Sequence, residues 1–281
     1  MSEPRNIWGA VKSAPGTIFD SINSNFASTP NVVPSLRDSK AIIIGSDYSG
    51  ESEEEPYVVY SFLLVGSNDI QEWDQNREVL RSTIFPDNRR MSYKALGEKL
   101  RRRFLAPILE SADNLEGLSF TLAIDKNCKS IFDNDYPLDT TRPDFENFRN
   151  WKPSVLEKAF TILHTISFLI AGIGHPNQDI FWFTDDDQIA ANPRMLTWLT
   201  KAFSWIVSDY VDFDLGHLRC GTTSCDNGTR QIEDLVCIPD LIAGALSEQF
   251  RASVLNGVAD DRTLWLSGPG MRENAPPILW W

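Results

Sequence analysis

Aspartate residues stand at the ends of several apolar segments in this chain of 281 residues. Asp47 and Asp125 each follow a short run of mostly apolar residues, and a third run ends in the triplet at 185–187. Asp240 follows Pro239 at the predicted start of the last helix. Carboxylate oxygens are preferred ligands of magnesium and manganese. The pattern therefore predicts a site for Mg²⁺ or Mn²⁺, and such ions can activate water for phosphodiester cleavage.

The predicted strands would bring these side chains to one place. In open α/β sheets, ligands bind at the carboxyl ends of the strands, where neighbouring parallel strands meet. We therefore expect several of the aspartates to lie close together. The candidate metal ligands are Asp47, Asp125, Asp185, Asp186 and Asp240, and all of these except Asp125 are also candidate catalytic residues.

Each aspartate also has an ordinary structural explanation. Asp47 lies two residues before Ser49-Gly50 and could form an Asx turn there. Side chains alternate along a strand, so only one or two of residues 185–187 can face a site, and the others would cap the next helix or face solvent. Asp240 would interact favourably with the dipole at the start of a helix whatever its function. Asp125 could form a surface ion pair with Lys126.

Hydrophobic periodicity predicts strands that alternate with helices. The predicted strands are 41–47, 57–65, 118–124, 180–184 and 211–218, and the predicted helices are 69–81, 93–112, 153–171, 193–207 and 240–253. The first two strands are expected to pair antiparallel because their connection is short. This order is typical of an α/β fold with a mixed β-sheet flanked by helices.

The chain length fits one elaborated domain. We predict a main domain at 39–255 with an irregular, Asp- and Pro-rich insertion near 128–152. Residues 1–38 form a polar arm or irregular lead-in that could pack on the domain, and residues 256–281 form a tail.

Composition and charge restrict the class of protein. The formal net charge of −13 argues against a protein that coats nucleic acid by bulk electrostatics. The apolar run at 162–173 is interrupted by polar residues and predicts a buried helix, so no membrane span is expected. The first residues lack the apolar core of a signal peptide, which predicts a cytoplasmic location. The four cysteines lack the paired spacing of a zinc site and are expected to be reduced.

The sequence contains five short motifs whose order and spacing along the chain can be compared with those of known families. They are Asp47-Tyr48-Ser49-Gly50, Met91-Ser92-Tyr93-Lys94, Ala123-Ile124-Asp125-Lys126, Phe183-Thr184-Asp185-Asp186 and Asp240-Leu241-Ile242-Ala243-Gly244. Their order and spacing over about residues 40–252 resemble the bacterial domain of unknown function 3800 family. Tyr48 and Ser92 stand where that family usually has acids, and Pro239 replaces a small residue.

The resemblance implies a ribonuclease H-like fold and a metal-dependent nuclease that hydrolyses phosphodiesters with metal-activated water. Asp47 would be the central ligand, Asp185 or Asp186 the second and Asp240 the third. Lys94 and Lys126 would contact substrate phosphates.

Nucleic acid would bind through local basic patches, above all Arg101, Arg102 and Arg103. Two other functions remain open. One is a non-catalytic interaction module on a ribonuclease H-like scaffold, with a protein as its partner. The other is a metal-dependent transferase that holds a nucleotide-sugar at residues 185–187.

Overall fold

The computed structural model describes most of the main domain. The described residues are 8–9, 11–12, 17–28, 33–68, 70–128, 130, 148 and 150–255, together with the backbone of 264–266 and 278–280. The predicted insertion near 128–152 and the predicted tail at 256–281 lie largely outside the described residues.

Five strands form one mixed sheet. They are β1 (Ala41–Ser49), β2 (Tyr57–Gly66), β3 (Gly117–Asp125), β4 (Asp179–Thr184) and β5 (Leu218–Thr222). The strand order is β3-β2-β1-β4-β5, and β2 alone runs antiparallel to its neighbours. A three-stranded meander followed by two parallel strands on the other side of β1 is the ribonuclease H-like arrangement. The predicted α/β fold is therefore confirmed.

Helices cover both faces of this sheet. They are α1 (Ile18–Ser28), α2 (Ile70–Ile84), α3 (Lys99–Ala112), α4 (Pro153–Ile173), α5 (Pro193–Tyr210) and α6 (Gln231–Leu255). Short 3-10 helices lie at Tyr93–Ala95, Gln188–Ala190 and Thr223–Cys225. Two further short strands, β6 (Leu264–Leu266) and β7 (Ile278–Trp280), pair antiparallel with each other.

The two faces of β1 pack against different helices. Ile42 and Ile44 share a core with Phe26 of α1, Phe168 of α4 and Phe203 of α5. On the opposite face, α2, α3 and α6 form a second core against β2. Burying each large apolar side chain contributes about 1.5–3 kcal/mol. Successive residues of β1 therefore face different environments, and this alternation decides which side chains reach the candidate site.

Helix α4 is the long apolar helix of the first core. Among the described residues it is the one helix long and apolar enough to cross a membrane, but 72% of that stretch is buried inside the domain. The predicted buried helix at 153–171 is thus found. Its N-terminal half also buries Lys158, whose partners belong to the loops beside the candidate site.

The predicted N-terminal arm contains a helix and packs on the domain. Ile22 and Phe26 of α1 are buried, as is Trp8. The Trp8 ring fills the space that a side chain on Gly172 of α4 would need. Scattered apolar residues in a polar stretch did not show a helical period, so sequence reasoning missed α1.

The last strand and the last helix begin elsewhere than predicted. Strand β5 starts at Leu218 rather than near residue 211, because residues up to Gly216 form a tight connection in which Gly216 N–H donates to Gln178 O. Helix α6 starts at Gln231, and Pro239 lies inside it. Asp234, buried in the first turn between two arginines of α2, holds the helix in place ahead of the proline.

Candidate functional site

Asp47 and Asp240 meet at the carboxyl end of β1. Asp47 lies on the face of β1 that α6 covers, and Asp240 projects from the middle of α6. Their carboxyl groups are within hydrogen-bonding contact. The backbone N–H of Tyr93 donates to Asp240 Oδ2 at 2.7 Å and fixes that carboxyl from a third element. Strand, helix and loop thus converge on one pair of acids.

Burial and mutual repulsion keep this pair from being doubly ionised. Burial raises the pKa of Asp47 to about 9, and the neighbouring Asp240 carboxyl adds to the rise. The pKa of Asp240 is also raised, mainly by burial, although the hydrogen bond from Tyr93 opposes the rise. Two carboxyl groups can hydrogen-bond to each other only if one of them holds a proton. The pair therefore shares a proton near neutral pH.

Asp185 is the third acid at this edge. The Thr223 hydroxyl donates to its Oδ1 at 2.6 Å, and Arg90 Nη2 donates to the same oxygen at 2.8 Å. Burial alone would raise the pKa of Asp185, but these two donors bring it below the usual range. Its charge in turn raises the pKa of both Asp47 and Asp240. Asp185 is therefore an ionised carboxylate beside the protonated pair.

The other two aspartates of the triplet point elsewhere. Asp186 is exposed. Asp187 accepts from Gln188 N–H at the start of a 3-10 helix and forms an ion pair with the buried Lys158. Strand β4 ends at Thr184, so strict alternation does not continue through the triplet, and these contacts leave Asp185 alone at the candidate site.

The structure does not bring the three remaining candidate residues, Asp125, Lys94 and Lys126, to one place. Asp125 ends β3, two strands away from β1, and its Oδ1 accepts from Asn127 N–H at 2.8 Å. Lys126 donates to the backbone carbonyl of Ser52. Lys94 is exposed and close enough to Asp240 to favour its charged form. The structure therefore brings Lys94 to the candidate site and leaves Asp125 and Lys126 outside it.

Tyr48 lies on the opposite face of the sheet from Asp47. Its hydroxyl is 2.7 Å from Ser46 Oγ and accepts from Thr184 Oγ1 at 3.2 Å, and Lys158 Nζ lies 4.5 Å from the ring centroid. Because neighbouring side chains of a strand alternate in direction, a tyrosine here removes no carboxylate from the Asp47–Asp240 pair.

Two motif glycines have clear physical roles. Gly50 adopts φ +81°, and a Cβ there would lie 2.1 Å from Tyr57 O, so the turn after β1 requires glycine. Gly244, one turn beyond Asp240 on α6, lies directly under the Tyr93 ring. The close approach of that ring brings the Tyr93 N–H to Asp240.

Gly244→Ala is expected to destabilise the fold by about 1–3 kcal/mol, the usual cost of overpacking. An added Cβ would lie 2.2 Å from two Tyr93 ring atoms, so the ring and its backbone must move away from Asp240. Gly97→Ala is the matched control, since a Cβ there meets nothing within 4 Å. Chemical denaturation of both variants measures the difference, and equal stabilities would contradict the packing explanation.

The shared proton predicts a pH dependence for metal-free protein. Asp47 has a folded-state pKa of about 9 and an ordinary value of 3.8, so the folded state binds the extra proton between these limits. Stability should therefore fall as pH rises from about 4 to about 9, by at most about 1.4 kcal/mol per pH unit.

Asp47→Asn should flatten this decline, because the amide does not titrate. Urea denaturation across that pH range, in the presence of a chelator, makes the comparison. Parallel profiles for the wild type and the variant would show that Asp47 does not hold the proton.

Three contributors to the site escaped sequence reasoning. Arg90 and Thr223 hold Asp185, and Tyr93 holds Asp240 through its backbone. A backbone donor leaves no signal in residue types. The predicted helix at 93–112 is in fact interrupted after Ala95, and this break places the Tyr93 N–H against α6. Arg90 lies in a sequence rich in arginine, so the sequence indicated a basic segment but did not indicate that Arg90 contacts Asp185.

Comparison with known proteins finds 14 matching chains of solved structures, and two of them illustrate the similarity in fold. No family model matches the chain, and no curated protein matches it. Ribonuclease H2 from Pyrococcus horikoshii OT3 is 11% identical, with a TM-score of 0.40, over 76% of this chain and 76% of that one. A chain of the PCNA:RNase HII complex from Archaeoglobus fulgidus is 11% identical, with a TM-score of 0.40, over 83% of each chain. The fold assignment rests on the strand order, and no residue role is transferred from either structure.

Proposed function

We propose that this protein is a metal-dependent phosphodiester hydrolase that acts on nucleic acid at the Asp47–Asp240 pair. The close approach of two partly buried carboxyl groups from different elements supports the proposal most strongly. Two carboxylates held together away from water repel unless a proton or a cation lies between them. A divalent cation would take the place of the shared proton.

The oxygen atoms at this edge fit a magnesium or manganese ion. Mg²⁺ is usually held by one or two carboxylates, with waters and substrate phosphates as the other ligands. Asp47 and Asp240 supply two carboxylates. Within the part of the chain that the structure describes, no group of three or more Asp, Glu, His or Cys side chains is placed to hold a metal ion. An ion held by these two carboxylates alone would keep its other coordination positions for water and substrate.

A bound ion would supply an activated water and stabilise the leaving oxygen. The chain's own residues position these groups. Asp47 and Asp240 would bind the ion after losing their proton. The Tyr93 N–H keeps Asp240 in its orientation, and the Thr223 hydroxyl keeps Asp185 at the edge of the pair.

A basic segment at residues 89–103 lies beside the acids. It carries seven basic residues and one acid in a chain whose net charge is −13. The basic residues are Arg89, Arg90, Lys94, Lys99, Arg101, Arg102 and Arg103. The segment contacts the site directly, since Arg90 binds Asp185 and Tyr93 binds Asp240. Clustered cations beside an acidic metal site favour a polyanionic substrate such as nucleic acid.

The positions of residues 185–187 favour a phosphodiester hydrolase over a nucleotide-sugar transferase. That alternative needs residues 185–187 to act together on a diphosphate, but Asp185 binds Thr223, Asp186 is exposed and Asp187 binds Lys158. The interaction module remains the rival, because a scaffold would use the same fold without chemistry. The resemblance to the domain of unknown function 3800 family stays a prediction beside this proposal.

A substrate panel tests the proposal. Purified protein with Mn²⁺ should cleave at least one of single- and double-stranded RNA, DNA and hybrid oligonucleotides. Binding should weaken as salt rises, with a shallow slope because few phosphates are contacted. Folded protein that binds Mn²⁺ yet leaves every substrate intact would support the interaction module instead.

A further inference from the structure

Arg90 is the cation that the structure pairs with Asp185. Its Nη2 donates to Asp185 Oδ1 at 2.8 Å, and its Nε lies 3.4 Å from Glu233 Oε2. The Arg90 side chain is 47% exposed and that of Asp185 is 38% exposed. Exposed ion pairs of this kind contribute little to stability. The Arg90–Asp185 contact can therefore be broken at low cost.

The backbone of Arg90 is held in place even though its side chain reaches solvent. Arg101 Nε donates to the Arg90 carbonyl at 2.8 Å, which ties residue 90 to α3. Three residues further on, the Tyr93 N–H is bound to Asp240. Because the backbone is fixed, the Arg90 guanidinium can change partners without movement of the loop that carries it.

Arg90 and a divalent cation would compete for the negative charge of Asp185. Asp185 lies close enough to act electrostatically on both Asp47 and Asp240. A cation bound by the pair would also be attracted by Asp185, so the positive charge of Arg90 opposes its approach. Thr223 would keep Asp185 in its orientation after Arg90 leaves, since its hydroxyl donates to the same carboxylate at 2.6 Å.

We propose that Arg90 is an exchangeable phosphate-binding residue, paired with Asp185 in the metal-free protein and with a phosphate of the bound nucleic acid once a cation occupies the site. The planar guanidinium matches the geometry of phosphate oxygens, and Arg90 begins the basic segment at 89–103. This inference rests on the proposed function and adds to it one specific substrate contact.

Arg90→Gln tests the exchange because two affinities should change in opposite directions. Without the competing guanidinium, calorimetry should show Mn²⁺ binding about two- to fivefold tighter. Fluorescence anisotropy with Mn²⁺, on an oligonucleotide checked afterwards to be intact, should show weaker binding. The slope of log affinity against log salt should be shallower by about 0.7–0.9, the equivalent of one phosphate contact.

Arg89→Gln is the matched control. Arg89 is the neighbouring arginine, and its guanidinium pairs with Asp87 and Glu98. Its loss should leave the Mn²⁺ affinity unchanged. Arg90→Lys should keep the wild-type Mn²⁺ affinity, because the charge remains, while binding the oligonucleotide less tightly than arginine does.

The outcomes separate this inference from the proposed function. Tighter Mn²⁺ binding together with weaker oligonucleotide binding in Arg90→Gln supports the exchange. A wild type that binds Mn²⁺ and cleaves, beside an Arg90→Gln protein with unchanged Mn²⁺ affinity, overturns the exchange and leaves the proposed function standing. If neither the wild type nor Arg90→Gln binds Mn²⁺, both the exchange and the proposed function are overturned.

Discussion

Asp47→Asn is expected to lower the rate of Mn²⁺-dependent cleavage by about a thousandfold or more, since a metal ion supplies several kcal/mol of transition-state stabilisation. The amide removes a charged oxygen from the centre of the proposed site, where Asp47 contacts Asp240. Asp240→Asn should have a similar effect. The double variant should lose little more than either single variant, because groups that act as one unit are strongly non-additive.

Asp186→Asn is the control for these variants. Asp186 belongs to the same loop as Asp185 but is exposed, so its substitution should change the rate only slightly. Single-turnover cleavage of the best substrate from the panel gives the comparison. Cleavage that survives both Asp47→Asn and Asp240→Asn would place the chemistry at another site or in a contaminant.

Asp234→Asn should destabilise the fold by about 3–5 kcal/mol, the usual effect of removing one partner of a buried ion pair. Asp234 is fully buried and accepts from Arg77 Nη1 at 3.1 Å and from Arg81 through two nitrogen atoms. The amide would leave two buried guanidinium groups without their full countercharge. This cluster joins α2 to the first turn of α6, the helix that carries Asp240.

Glu78→Gln provides the matched control, because Glu78 is 61% exposed and lies 3.8 Å from Arg77. Its loss should change stability by less than about 0.5 kcal/mol. Urea denaturation of both variants at neutral pH measures the difference. A loss below about 1 kcal/mol for Asp234→Asn would mean that water reaches the cluster and replaces the lost charge.

The sheet could be predicted because its strands carry strong local signals. The β-branched run that ends at Asp47 and the apolar run that ends at Asp185 each have the length and composition of buried strands. Both lie where predicted, and they are neighbours in the parallel part of the sheet. Strand β5 was displaced because the turn at Gly216, rather than hydrophobicity, sets where it begins.

The details of the site depended on tertiary contacts that residue types do not reveal. Pro239 suggested a helix start, yet the buried Asp234 extends α6 ahead of it, so Asp240 projects from mid-helix. Tyr48 suggested a lost acid, but its side chain faces the other core. Asp125 shared the strand-end pattern and still lies two strands away from β1, because β2 separates them.

The most direct test of the proposed centre is the position of manganese in a crystal of the protein grown or soaked with Mn²⁺. An anomalous difference map should show an ion bound by oxygen atoms of both Asp47 and Asp240, and crystals of Asp47→Asn treated in the same way should lack it. A manganese peak away from this pair, or none at all at saturating Mn²⁺, would contradict the assignment of Asp47 and Asp240 as the metal-binding centre.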